Sequence, residues 1–243
     1  MPENNQDLTV KFLTWNIHSG VGTDGVQSYE RIGEYLAHKH YDIVCLQEMD
    51  TRSDDRATQG DIARLKTQHF QGFHFAETVV KDNGAYGNAI LSRFPKVSSS
   101  IIDVSFGARE PRNIQELVVD VHGQHLRIVN THKGLKKFER THQINRLIDL
   151  LKGYRDSPLP TILAGDFNEW QLIFRSLKSV SQILHPCTTG KTFPSRFPLL
   201  RLDRIWCDPP ELVSSTSRVI DAKTRLYSDH LPIEAYLSMP SRA

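Results

Sequence analysis

Five short apolar runs of this chain stop at a side chain that can ionise or bind: FLTW at Asn16, VCLQ at Glu48, IVNT at His132, ILAG at Asp166 with Asn168 just beyond, and LPI directly after Asp229-His230. Runs this short, rich in Val, Ile and Leu, read as buried strands rather than helices. One polar residue at a strand end is ordinarily a cap or a turn former. Several of them, on strands able to converge on one sheet edge, point to a sheet scaffold whose rim carries a site.

The remaining pattern fills in that scaffold. The strand Val10 to Trp15 runs into Ser19-Gly20-Val21-Gly22-Thr23-Asp24-Gly25, a loop. Tyr29, Ile32 and Leu36 then recur at helical spacing behind Ser28 as N-cap, and Asp42 to Gln47 is the next buried strand. Asn88 to Ser92, Ile114 to Val121 and His125 to Thr131 read as strands, the last two joined at His122-Gly123-Gln124 as a hairpin. Ile144, Leu147, Ile148 and Leu151 form a helical stripe that stops at Gly153. Thr161 to Ala164, Leu202 to Cys207 and Pro232 to Leu237 supply further strands, while Ser53 to Gly60 and Pro186 to Pro198 are expected to be loops. With no repeat, low-complexity tract or linker, residues 1–243 are expected to form a single mixed α/β domain with flexible ends at 1–8 and 239–243.

Composition narrows the class. A chain of 243 residues at 39% hydrophobic content can bury a sizeable core. Its 30 Lys and Arg against 28 Asp and Glu leave a net charge of +2, which argues against a dedicated histone-like or membrane-coating protein. Cys45, Cys187 and Cys207 form no CxxC pair, so neither a disulfide framework nor a thiolate zinc site is suggested. The start, MPENNQDLTV, is polar, and no segment approaches the roughly 20 apolar residues of a membrane span. These features lead us to expect a cytoplasmic protein without stable membrane insertion.

Glu48, Asp166 and Asp229, with the neighbouring amides, are hard oxygen ligands that suit Mg²⁺ or Mn²⁺ better than structural zinc. Such an ion keeps waters and takes phosphate oxygens, which points to phosphoryl chemistry. His230 beside Asp229 offers a charged pair to position a phosphate. The absence of a GxSxG nucleophile signature favours direct attack by water.

In order along nearly the whole chain, TWNIHSG, LQEMD, YGNAILSRFP, THKGL, LAGDFNEW, LDRIW and YSDHLPI resemble the motifs of the endonuclease/exonuclease/phosphatase superfamily, and TFPSRFPLLRLDRIW is similar to small bacterial members. The resemblance implies a DNase I-like four-layer α/β sandwich, two packed mixed sheets flanked by helices, and cation-dependent hydrolysis of phosphoesters. It also implies roles. Glu48 is the principal Mg²⁺ ligand, with Asn16 beside it at metal and phosphate and Asp229 completing the shell, through water or directly. Asp166 orients or deprotonates the attacking water, and Asn168 holds the phosphate. His230 contacts the scissile phosphate, oriented by Asp203, and His132 matches an acid or phosphate-binding histidine.

Other positions stay open between two readings. His18 stands where DNA-repair relatives carry an aspartate, so a second metal site is in doubt and a plain hydrogen-bonding histidine competes with a phosphate or metal contact. Arg112 and Arg109 could clamp phosphate or be solvated surface groups. Asn88 is counted at or just behind the phosphate, and Tyr86 either stacks on substrate or packs. Lys133, Lys136, Lys137 and Arg140 could steer an anion, although a solvated face at a helix start is the better reading. Trp15 and Trp206 are assigned to the core.

The expected activity is therefore hydrolysis of a phosphodiester by metal-activated water, acting as a monomer on nucleic acid, phospholipid or a small diester. A phosphomonoesterase of the same fold and a non-catalytic phosphate or nucleic-acid binding module are the competing readings. No basic block or interleaving of aromatics with Lys and Arg marks a nucleic-acid groove. No amphipathic membrane helix stands out either, so a lipid would be met by brief surface contact.

Overall fold

A computed structural model describes residues 8–52, 58–170 and 175–239. The strands are β1 (Leu8–Asn16), β2 (Ile43–Asp50), β3 (Gly72–Lys81), β4 (Gly84–Ser92), β5 (Lys96–Asp103), β6 (Asn113–Val121), β7 (Gln124–His132), β8 (Thr161–Asp166), β9 (His185–Pro186), β10 (Asp203–Asp208), β11 (Val213–Arg218) and β12 (Ile233–Met239). The α-helices are α1 (Tyr29–His38), α2 (Thr58–Lys66), α3 (Lys137–Gly153), α4 (Arg175–Val180) and α5 (Ala222–Tyr227).

The strands form two six-stranded mixed sheets, ordered β11-β12-β1-β2-β4-β3 and β5-β6-β7-β8-β10-β9. Each holds one parallel pair, β1 with β2 and β7 with β8, and all other pairings are antiparallel. A parallel pair needs a crossover, and α1 and α3 supply it. Ser28 caps α1 by accepting from the Arg31 N–H. The β6–β7 hairpin turns at His122 and Gly123, both at positive φ, the twist that a tight hairpin turn requires.

Between the sheets lies a core that includes Phe12, Ile43, Ile90, Leu117, Ile128 and Ile205. The outer face of the first sheet packs on Ile32, Leu36 and Leu65 of α1 and α2, and that of the second on Ile144, Leu147 and Leu177 of α3 and α4. The result is the expected four-layer α/β sandwich.

Several boundaries differ from the sequence reading. Thr58 to Gly60 begin α2 instead of continuing a loop, while 53–57 lie outside the described residues. Pro186 pairs with Trp206, and Phe193 bridges Leu200, within the segment expected to be loop. Leu8 and Met239, placed in the flexible ends, instead pair with each other across β1 and β12, and the rest of those ends lie outside the described residues.

Candidate active site

The two parallel pairs point the same rim outward. In the second sheet, His132 at the end of β7 pairs with Asp166 at the end of β8, and Asp166 pairs with Asp203 at the start of β10, so three functional side chains stand in a row across three strands. In the first sheet, Asn16 pairs with Gln47, and the β2 register shifts between Leu46 and Met49. Glu48 sits in that bulge at φ 59°, a left-handed conformation unfavourable for a side-chain-bearing residue, and the bulge turns its carboxylate toward the other sheet.

The turn after β8 is built by its sequence. Gly165 has φ 147°, and a Cβ there would collide with the Thr131 carbonyl, so only glycine lets β8 approach β7 this closely. Phe167 is fully buried, its ring 4.8 Å from that of Trp206. Asn168, again at positive φ, donates its backbone N–H to Asp166 Oδ1 (2.8 Å) and its amide to the Lys133 carbonyl (2.8 Å) and toward His132 Nε2 (3.1 Å).

One amide joins the sheets at the site. Asn16 Nδ2 donates to Glu48 Oε1 (2.8 Å) and to Asp166 Oδ2 (3.1 Å). Its Oδ1 accepts from the His18 N–H (3.0 Å). Asn16 thus braces two carboxylates with its nitrogen, while its oxygen, expected at the metal, accepts one backbone N–H and keeps a second lone pair. His132 Nε2 lies 3.8 Å from Glu48 Oε1 and 3.6 Å from Asp166 Oδ2. His230 Nδ1 is 2.9 Å from Asp203 Oδ2, and its Nε2 is 3.8 Å from Asp166 Oδ2.

Burial pushes the Asp166 carboxyl up to about 6, with Asp203 adding to the effect and His230 opposing it. Burial works against a charged His230, but Asp203 and Asp166 outweigh it and raise the imidazole to about 10. His132 is driven well below the usual histidine range by burial and by the positive charges of Arg112 and His230, so it is neutral.

An open pocket of about 430 Å³ is lined by Glu48, Arg112, His132, Asp166, Asn168 and His230, together with Tyr86, Trp170 and several apolar side chains. Arg112 is nearly buried, pairs with Glu110 and leaves its Nε without a hydrogen-bond partner, so it is not a solvated surface group. Asp166, Asp203 and His230 present ligand atoms within 4.8 Å of one another. Because His230 Nδ1 is already committed to Asp203, that trio works better as an oriented imidazole than as a cation cage. Glu48 and Asp166, two hard carboxylates sharing one neutral amide, fit a divalent cation better.

Other expected residues fall outside the pocket wall. The exposed His18 ring turns to the Val21 carbonyl (3.2 Å), and only its backbone serves the site. Asn88 is buried and donates to Asn113 Oδ1 (2.9 Å), bracing the sheets, which suits the reading that put it just behind the phosphate. Asp229 is half-buried and not part of the pocket lining; its carbonyl accepts from the Ser195 N–H, and the Ser228 hydroxyl, which donates to the Asn16 carbonyl (2.7 Å), lies 3.5 Å from its Oδ1. Arg109 is exposed, over the Phe138 ring. Lys133 and Arg140 match neither the steering nor the solvated reading: both are buried, Lys133 over Phe167 and Arg140 paired with Glu169.

Sequence reading missed the supports. Trp15, in the core as expected, donates Nε1 to the His230 carbonyl (2.9 Å), and Thr192 donates to Asp203. Trp206 is likewise buried. Gln47 and Asn130 bond across the sheets beneath the pocket. The signal was present, since each is an amide inside an apolar run and a buried amide needs a partner.

Residues 13–230 match the profile of the Endonuclease/Exonuclease/phosphatase family. The Escherichia coli protein YbhP is 28% identical over 98% of this chain and all of its own length. Among solved structures, the Bacteroides thetaiotaomicron mannosyl-6-phosphatase Bt3783 superposes with a TM-score of 0.72 at 21% identity, covering 93% of this chain and 98% of its own. A humanized Danio rerio TDP2 gives 0.71 at 21%, covering 95% and 99%. By the extent of that profile match, the chain belongs to the Endonuclease/Exonuclease/phosphatase family.

Proposed function

We propose that this chain is a divalent-metal-dependent phosphodiesterase in which water attacks phosphorus directly. The observation that carries the reading is the meeting of the Glu48–Asp166 carboxylate pair, the Asp203-bound His230 and the nearly buried Arg112 around one pocket. Glu48 is the residue to hold Mg²⁺ or Mn²⁺, with Asp166 next to it and Asp229 reaching the ion only through water. Bound there, the cation would polarise a phosphoryl oxygen and acidify water.

The side chains supply the remaining chemistry. Asp166, its Oδ2 held by the Asn16 amide and 3.8 Å from His230 Nε2, takes the proton of the attacking water. Protonated His230 and Arg112 offset the charge that builds on the phosphoryl oxygens, and Asn168 with neutral His132 completes the phosphate wall. We assign this activity to one domain spanning 1–243, monomeric and cytoplasmic, a setting that the three free cysteines suit.

Hydrolysis of bis-p-nitrophenyl phosphate with Mg²⁺ or Mn²⁺, its loss to a chelator and its loss in Glu48→Ala and Asp166→Ala test the reading. Wild-type rates in both variants would overturn the mechanism, and no turnover with any metal or diester would leave the phosphate-binding module. The neighbour named as a mannosyl-6-phosphatase favours a monoester alternative, so p-nitrophenyl phosphate belongs in the same assay.

A further inference from the structure

The polar pocket opens through an apolar rim. Leu135 (57% exposed) and Trp170 (43%) line the pocket and face solvent. Phe138 (51%), Phe197 (78%) and Leu199 (66%) are not in the pocket wall but lie within a few residues of the wall residues Leu135, Phe193 and Leu200, Phe138 with its ring 5.5 Å from that of Phe106. Leu135 and Phe138 belong to the β7–α3 connection. Phe197 and Leu199 form the tip of a hairpin closed by hydrogen bonds between Phe193 and Leu200, and these two closing residues themselves line the pocket. Both segments therefore border the same opening. Single exposed apolar residues need no explanation, but a set gathered at one mouth does.

Basic residues interleave with the apolar ones: Leu135-Lys136-Lys137-Phe138 is exposed throughout, and Arg196 precedes Phe197 at the hairpin tip. Within 134–138 and 193–201 there is no acidic residue. The nearby Glu110 is committed to Arg112.

We propose that this rim docks on an anionic lipid surface and brings a phospholipid headgroup diester to the pocket. The inference rests on the phosphodiesterase reading and names its substrate class. Charge complementarity selects an anionic partner, and the kind of apolar side chain selects lipid over nucleic acid. Bases are held by stacking on aromatic faces, which Trp170, Phe138 and Phe197 can offer, but Leu135 and Leu199 at the rim and Leu200 and Leu202 in the wall add an aliphatic surface that stacking does not use. Aliphatic and aromatic groups beside Lys and Arg are what a membrane interface takes up, the basic residues adding attraction to its anionic headgroups.

Of the three tryptophans, Trp15 and Trp206 are buried, so a change of intrinsic emission on mixing with vesicles reports Trp170 at the rim. The full-length protein should co-sediment with phosphatidylcholine vesicles containing phosphatidylglycerol, with a blue shift, and much less with phosphatidylcholine alone. Combined Phe138→Ser, Phe197→Ser and Leu199→Ser, or separately Lys136→Glu with Lys137→Glu, should weaken that binding roughly tenfold or more while leaving hydrolysis of the soluble diester intact. Wild type that ignores both vesicles, or variants that bind like wild type, would overturn the docking surface. Loss in these variants of single-stranded oligonucleotide binding, without vesicle binding in wild type, would overturn it in favour of nucleic acid. Soluble-diester turnover without vesicle binding removes this inference alone, and vesicle binding without turnover removes the phosphodiesterase alone.

Discussion

His230 Nδ1 meets Asp203 Oδ2 at 2.9 Å, and both groups are buried. The pair keeps a positive charge on an imidazole that burial alone would discharge. Asp203→Asn keeps the shape and removes the charge. It should lower kcat on a soluble diester by roughly a hundredfold or more, within the range of a positioned acid–base group. The high-pH limb of the profile should move from about 10 down toward an ordinary histidine. A variant with reduced kcat and an unmoved limb would show that Asp203 is not what holds the proton.

Asp166 regains its proton in the folded chain at about 6, above the 3.8 of a free carboxyl. The folded state therefore binds more protons than the unfolded one between those values, and ionised Asp166 costs stability above pH 6. In metal-free buffer at about pH 8, Asp166→Asn should be more stable than wild type by about 1–3 kcal/mol, and inactive. The gain should fade below about pH 4, where the wild-type carboxyl is neutral as well. Urea titrations at the two pH values decide it, and an equal gain at both would assign the effect to something other than charge.

Beneath the site, Asn130 accepts from Gln47 (2.8 Å) and donates to the Leu46 and Ala89 carbonyls, tying one sheet to the other. Asn130→Ala strands these groups in a dry core and should cost about 2–4 kcal/mol in the urea midpoint. A loss under about 1 kcal/mol would mean that water takes the place of the amide.

The strands that the sequence pattern revealed and those it hid separate by position. β3, β5, β9 and β11, all passed over in the sequence, are the four edge strands of the two sheets. Lys96 to Asp103 and Val213 to Arg218 are mostly exposed and serine-rich, because an edge strand with an open face needs no continuous apolar run. The inner strands, most of them buried on both faces, announce themselves. The site follows the same logic. Residues at inner strand ends were legible, whereas the Trp15 bond to the His230 carbonyl spans 215 residues and leaves no local trace. Lys133 and Arg140 misled for the converse reason: a local charge run looks solvated until Glu169 and Phe167 are folded against it.

Glu48 and Asp166 share one neutral amide, and among the described residues no Lys or Arg forms a salt bridge with either. Protonated His230 offsets only part of the charge, from 3.8 Å on the Asp166 side; a divalent cation would supply the rest, and whatever binds the folded chain alone stabilises it in proportion to the logarithm of its concentration. Adding Mn²⁺ to chelator-treated protein should therefore raise Tm, the gain reaching about 2.7 kcal/mol at a hundredfold excess over Kd. Glu48→Ala should abolish most of that rise, because it removes the principal oxygen donor. Asp229→Ala should reduce it less than Glu48→Ala does, since this half-buried residue is not among those that line the pocket. A Tm rise unchanged in Glu48→Ala would place the cation elsewhere, with the cluster of Asp166, Asp203 and His230 as the next site to test.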